Sequence, residues 1–174
     1  MNIASERRAI DEALNRYRRL IDDISDERFI QTPLNGGWSY AEVYDHVLKA
    51  TLKASIALER CTNNVCPPTK DGPTLAGYYI LLTGSFPPFK VKASPEMEAD
   101  VKRIDKEEAK NLIVKVRKRI DGIVGTIKNA KPQWRYKHPR MGMLNAGQWL
   151  KFIRIHLQHH LKQLERIRES FNRN

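Results

Sequence analysis

The sequence predicts an all-α protein: a four-helix bundle with one additional short helix or irregular crossover. Three observations lead there. Four long stretches repeat apolar residues at three- and four-residue intervals, the period of an amphipathic helix. Two of these stretches open with complete helix-start signals. The chain also lacks the series of short alternating segments that would build a sheet, which leaves helix packed on helix as the layer architecture.

The first helix is expected from about Ser5 to Ile24, turning Ile10, Ala13, Leu14, Tyr17, Ile21 and Ile24 inward. Gly36-Gly37 then breaks the chain. Ser39 and Glu42 form an S-x-x-E capping box, and Trp38 stands where it can staple onto Val43, so a second helix should run to about Arg60. The stretch CTNNVCPPTKDGP reads as a loop, and residues 75–83 as a short helix or a buried strand, helix being preferred. Pro87, Pro88 and Pro95 forbid a long helix in SFPPFKVKASPEME, which is expected to wrap across the bundle in extended form. A third long helix, Lys106 to Lys128, presents Ile113, Val116, Ile120, Ile123 and Ile127 as a bundle seam. The last begins with Asn145 as cap, Gln148 three residues on, and Leu144 placed to staple onto Trp149.

At 174 residues the chain fits one domain over 1–174, large enough to bury roughly 70% of the surface its unfolded form exposes. The opening MNIASERRAIDE alternates charge without the apolar centre of a secretory leader. The longest apolar run, Leu75 to Leu82, falls far short of the ~20 residues that span a bilayer. A soluble cytoplasmic protein with no membrane association is expected. Cys61 and Cys66, the only cysteines, lack a zinc-finger spacing and read as two reduced, inert thiols rather than a disulfide or redox pair.

The formal charge of +11 is uneven. From Lys128 to Arg168 ten basic residues face one acid, Glu165. Such a stretch suits an anionic partner, nucleic acid included. Yet Lys151, Arg154, Gln158, Lys162 and Glu165 share the side away from the apolar stripe, as a solvated helix face should. No nucleic-acid recognition pattern accompanies the charge, so nucleic acid is not the expected partner.

Histidines interrupt the apolar stripes at three points. His156 and His160 lie one turn apart on the last helix, in line with Trp149, Phe152, Ile153, Leu164, Ile167 and Phe171. His46 lies between Val43, Val47 and Ala50 on the second helix. Three imidazoles converging in a bundle would make a divalent-metal site with an open coordination position. Core histidines hydrogen-bonded to carbonyls fit the spacing as well, although leaving two buried rings unpartnered costs about 1–3 kcal/mol per group. A pair at His156 and His159 is stereochemically allowed too.

WSYAEVYDHVLKA, residues 38–50, resembles the W-S-x-x-E-x-x-x-H-L signature that opens the second helix of DinB-like proteins. HPRMGMLNAGQWLKFIRIHLQHHLKQLERI, residues 138–167, resembles their closing signature: His-Pro, Gly, a cap, Trp, Phe, then H-x-x-H-H-x-x-Q. Both occur in the family's order, so the resemblance covers nearly the whole chain. It implies a four-helix bundle with a three-histidine divalent-metal site, selecting His46, His156 and His160 as ligands. It also implies thiol S-transferase-like chemistry, with a low-molecular-weight thiol as substrate, more than simple hydrolysis. The alternatives are a non-catalytic bundle that holds a small ligand or metal and, last, a basic nucleic-acid-binding protein.

Imidazole suits zinc and nickel, with iron or manganese as further choices. Around the ligands, His159, Gln163, Glu42 and Trp149 are the candidates for shaping the pocket or orienting a ligand. Glu42 is already accounted for by its cap, and no general base is identifiable. Tyr44 and Asp45 are expected to face away from His46, and His138 to serve a structural turn. Trp134 and Tyr136 are expected in the core or along the pocket. Leu52, Ile56, Tyr78, Tyr79 and Ile80 fall outside the main stripes; they cover the bundle or meet a second copy, and the resemblance favours a homodimer.

Overall fold

The computed structural model describes residues 2–34, 36–87 and 99–172. Six helices are named in chain order: α1 (Ile3–Asp23), α2 (Asp26–Ile30), α3 (Tyr40–Thr62), α4 (Leu75–Thr83), α5 (Lys106–Val124) and α6 (Ala146–Asn172). A single 3-10 turn (Ile127–Asn129) and a hairpin of β1 (Arg135–His138) and β2 (Gly142–Asn145) lie between α5 and α6. The four long helices form the bundle: α1 and α3 each pack against both α5 and α6.

Each long helix starts at a residue whose side chain satisfies a free N–H. Asn2 caps α1, Ser39 caps α3 in a reciprocal box with Glu42, and Asp105 caps α5. Asn145 Oδ1 accepts from Gln148 N and Gln148 Oε1 from Asn145 N, both at 3.0 Å, so the expected box at α6 forms. The apolar stripes then close on one another. Tyr17 donates its hydroxyl to the Leu157 carbonyl, and Tyr44 donates to that of Tyr17, both at 2.8 Å. These two buried phenols pin α1 to α6 and α3 to α1, fixing rotation about the helix axes where apolar contact alone would tolerate slippage.

One element is new and three expectations are corrected. Ser25 caps a short helix, α2, whose Phe29 is buried against Tyr44 with ring centroids 5.4 Å apart. The third long helix stops at Val124 rather than Lys128, and Ile127 reaches the core from the 3-10 turn instead. A two-stranded hairpin stands where no strand was expected. Its Gly142 has φ +81°, and a Cβ there would lie 2.8 Å from both Gly72 O and Thr74 N, so only glycine lets the loop before α4 pass so close. Finally, Arg154 does not lie on a free solvated face: its guanidinium bonds Glu6 at 2.6 Å and Gln158 at 2.7 Å.

The short helix at 75–83 appears with the expected bounds, capped by Thr74 and ended by Gly84 in the left-handed conformation. The expected extended crossover lies largely outside the described residues. Cys61 and Cys66 are free and buried, with sulfurs 3.9 Å apart. Among the described residues no helix is long and apolar enough to cross a membrane.

Candidate metal centre

α3 and α6 pack along their lengths, and their stripes bring His46 against His156 and His160. One ring nitrogen from each histidine lies within 4.8 Å of the others. Ring centroids are 5.5 Å apart for His46 and His156, 4.9 Å for His46 and His160, and 4.6 Å for His156 and His160. His156 and His160 are 9% and 7% exposed, while His46 is half-buried, so the cluster is reached from the side of His46.

The hydrogen bonds define which nitrogens face inward. His160 Nδ1 is 2.7 Å from Gln163 Oε1, an acceptor, so Nδ1 carries the proton and Nε2 presents its lone pair. That Nε2 stands 3.1 Å from Nε2 of His156. His156 Nδ1 is buried and has no hydrogen-bond partner among the described residues. If His156 protonates Nδ1, two lone pairs oppose each other across 3.1 Å and a buried N–H is orphaned; if it protonates Nε2, a buried acceptor is orphaned. A cation between the Nε2 atoms removes the repulsion. Two imidazole nitrogens on one tetrahedral zinc would stand about 3.3 Å apart, close to the spacing found. The donor set fits a divalent ion.

Protonation does not compete with that role near neutrality. Burial holds His46 down to about 4 and His160 to about 3, and keeps His156 well below the usual histidine range, with the neighbouring histidines adding to the effect at His156 and His160. All three are therefore neutral imidazoles, the form that binds metal.

The surrounding candidates fare differently. Gln163 orients His160 directly. His159 lies beside His160 at 5.0 Å and edge-on to Phe86 at 4.8 Å, at the rim of the cluster. Trp149 is one ring removed: it meets Phe152 edge-on at 5.7 Å, and Phe152 stacks on His156 at 5.4 Å. Glu42 is occupied, its Oε2 accepting from Ser39 N at 2.8 Å and Ser39 Oγ at 2.7 Å, with Arg103 nearby. Burial would raise its pKa, but these partners outweigh it and hold the carboxylate below the usual range.

Asp45 turns away from His46 as expected, accepting from Lys102 N at 2.9 Å and pairing with Lys49. His138 is structural: its Nδ1 accepts from Arg140 N and Met141 N, both at 3.1 Å, and shapes the hairpin turn. Its ring meets Trp149 and Phe152. Trp134 is half-buried, and Tyr136 is an exposed hairpin residue under Arg60.

Two wall residues escape the sequence reading. Trp38 lies on His46 at 5.0 Å between centroids, and Phe86 lies 6.3 Å from His156. Trp38 carried a signal, since its place before the cap directs it back along α3. Phe86 carried none, because it arrives from a proline-interrupted stretch whose course periodicity does not reveal.

A helical bundle with a buried three-histidine cluster between two long helices is the class that this fold and geometry define. The chain belongs to the DinB superfamily, whose family model matches residues 9–164. It is 27% identical over 151 residues to the uncharacterised protein YuaE of Bacillus subtilis (strain 168), covering 86% of this chain and 89% of that one. Its fold is similar to that of TT2238, described as a four-helix bundle protein, with a TM-score of 0.62 at 18% identity over 94% of this chain and 98% of that one.

Proposed function

We propose that the protein is a divalent-metal-dependent enzyme whose ion is held by His46, His156 and His160, and that it transfers a low-molecular-weight thiol to an electrophile. One observation carries the reading: three neutral imidazoles converge, with two Nε2 atoms 3.1 Å apart and one buried ring nitrogen unpartnered. Such an ion supplies Lewis-acid chemistry, stabilising a thiolate at a pH where the free thiol is mostly protonated; zinc and nickel are the proposed metals, before iron and manganese.

The chain's own residues do the positioning. Gln163 fixes the ring of His160, and Phe152 stacks on that of His156. Trp38 and Phe86 flank the histidines with apolar surface, which limits water near a nucleophile and favours an apolar electrophile. His159, at the rim with its pKa lowered by burial and by Arg166 and Lys162, is neutral and placed to meet a substrate. Thiol transfer suits this wall better than hydrolysis, because among the described residues neither carboxylate beside His46 on its helix is free to take a proton from water: Glu42 is locked in its cap and Asp45 faces Lys102.

The test is turnover of a panel of electrophiles with several small thiols, by metal-loaded and chelated protein, alongside melting temperatures. Thiol-dependent turnover that disappears with the metal is expected. Strong stabilisation by metal without turnover on any thiol or ester would instead favour a non-catalytic metal-binding bundle.

A further inference from the structure

A second cleft, of about 340 Å3, opens where the end of α1, α2, the start of α3 and the last turns of α6 meet. It is independent of the histidine cluster. Its accessible apolar walls are Leu20, Ile24 and Phe171, with Phe171 stacked on Tyr40 at 6.3 Å between centroids and an interplanar angle of 19°. Tyr40 lines the cleft as well and is 2% exposed overall.

Two guanidiniums overlook this floor. Arg28 lies 4.4 Å above the Phe171 ring, and Arg168 lines the cleft from α6. Neither has a carboxylate within ion-pairing distance among the described residues, unlike Arg7, Arg16, Arg117, Arg119 and Arg154. Burial raises the pKa of Tyr40, and Arg168 and Arg28, which line the same cleft, act to lower it. Of the two acids at the cleft, Glu165 is tied to Arg16 at 2.5 Å and Asp23 is exposed.

We infer that this cleft binds a small organic anion with a flat apolar body, an aromatic carboxylate in chemical class. The ring would pack on Leu20 and Ile24 beside the edge of Phe171, and the carboxylate would accept from Arg28, Arg168 and the Tyr40 hydroxyl. The planar fork of arginine matches carboxylate geometry, and a cleft of a few hundred cubic ångströms with apolar walls and few converging polar groups is the usual form of a small-molecule site.

The probe is 4-fluorobenzoate, followed by fluorine NMR on the full chain as purified and again after dialysis against a chelator. The chelated sample separates this cleft from carboxylate bound at the histidines. Saturable binding that survives chelation is expected. It should weaken at least tenfold in Arg28→Gln/Arg168→Gln, exposed positions whose change leaves the fold intact, and a few-fold in Tyr40→Phe. The neutral 4-fluorobenzamide should bind at least tenfold more weakly. The inference is overturned by binding that vanishes with the metal, by equal affinity for the amide or the double variant, by preference for 4-fluorobenzylamine, or by no saturation at tens of millimolar probe.

Discussion

His138 shows how one ring holds a turn together. Its Nδ1 accepts two backbone N–H groups, and burial, assisted by Arg140, holds its pKa down to about 4. The depressed value gives a definite sign. Below about pH 6.5 the unfolded chain takes up a proton at this position that the folded chain refuses until about pH 4. The stability tied to His138 is therefore complete above pH 6.5 and is lost as pH falls towards 4. His138→Ala should cost about 1–3 kcal/mol at pH 7 by orphaning two N–H groups. Urea melts from pH 7 to pH 4 on metal-free protein should show a shallower decline for the variant than for the wild type. Parallel declines would mean that the ring is not held neutral by the fold.

At the scale of elements, the two histidine-bearing helices are those with reciprocal caps, Ser39 with Glu42 and Asn145 with Gln148. The cap fixes where a helix begins, and hence the direction in which a residue seven, eleven or fifteen positions later points. Asn145→Ala should lower stability by about 1 kcal/mol, read as a few degrees in melting temperature. Gly142→Ala should cost more, since it combines φ +81° with backbone atoms 2.8 Å from the new Cβ; a melting temperature within a degree of wild type would contradict the contact.

These elements also show what a sequence can reveal. Helices whose caps and stripes agree are legible, and so are the three histidines, because each continues a local period. The hairpin is not legible: four-residue strands with half-polar faces are stabilised by the Pro73–Gly142 and Pro68–Trp134 bridges to a distant loop, not by alternation. Phe86 is invisible for the same reason, since its place depends on tertiary contact.

Over the whole molecule, charge and apolar surface are separated. The chain carries +11, yet α4 has no charged residue, and its Leu75, Tyr78, Tyr79 and Leu82 are 91%, 56%, 46% and 87% exposed, whereas Ile80 turns into the core. We propose that a second copy meets this face, the surface where like charge least opposes contact. Light scattering at micromolar concentration and moderate salt should give twice the 20.2 kDa chain mass, reverting to 20.2 kDa in Leu75→Ser/Leu82→Ser. A monomeric wild type would refute pairing and leave the metal centre untouched.

The central claim is that His46, His156 and His160 hold one divalent ion, and elemental analysis tests it most directly. Protein purified without an affinity tag, stripped with chelator and titrated with zinc or nickel should retain one ion per chain after gel filtration. His156→Ala should retain almost none while its helical circular dichroism persists. A wild-type chain that keeps no stoichiometric ion after titration with zinc, nickel, iron or manganese, or a His156→Ala chain that keeps as much as wild type, would contradict the account.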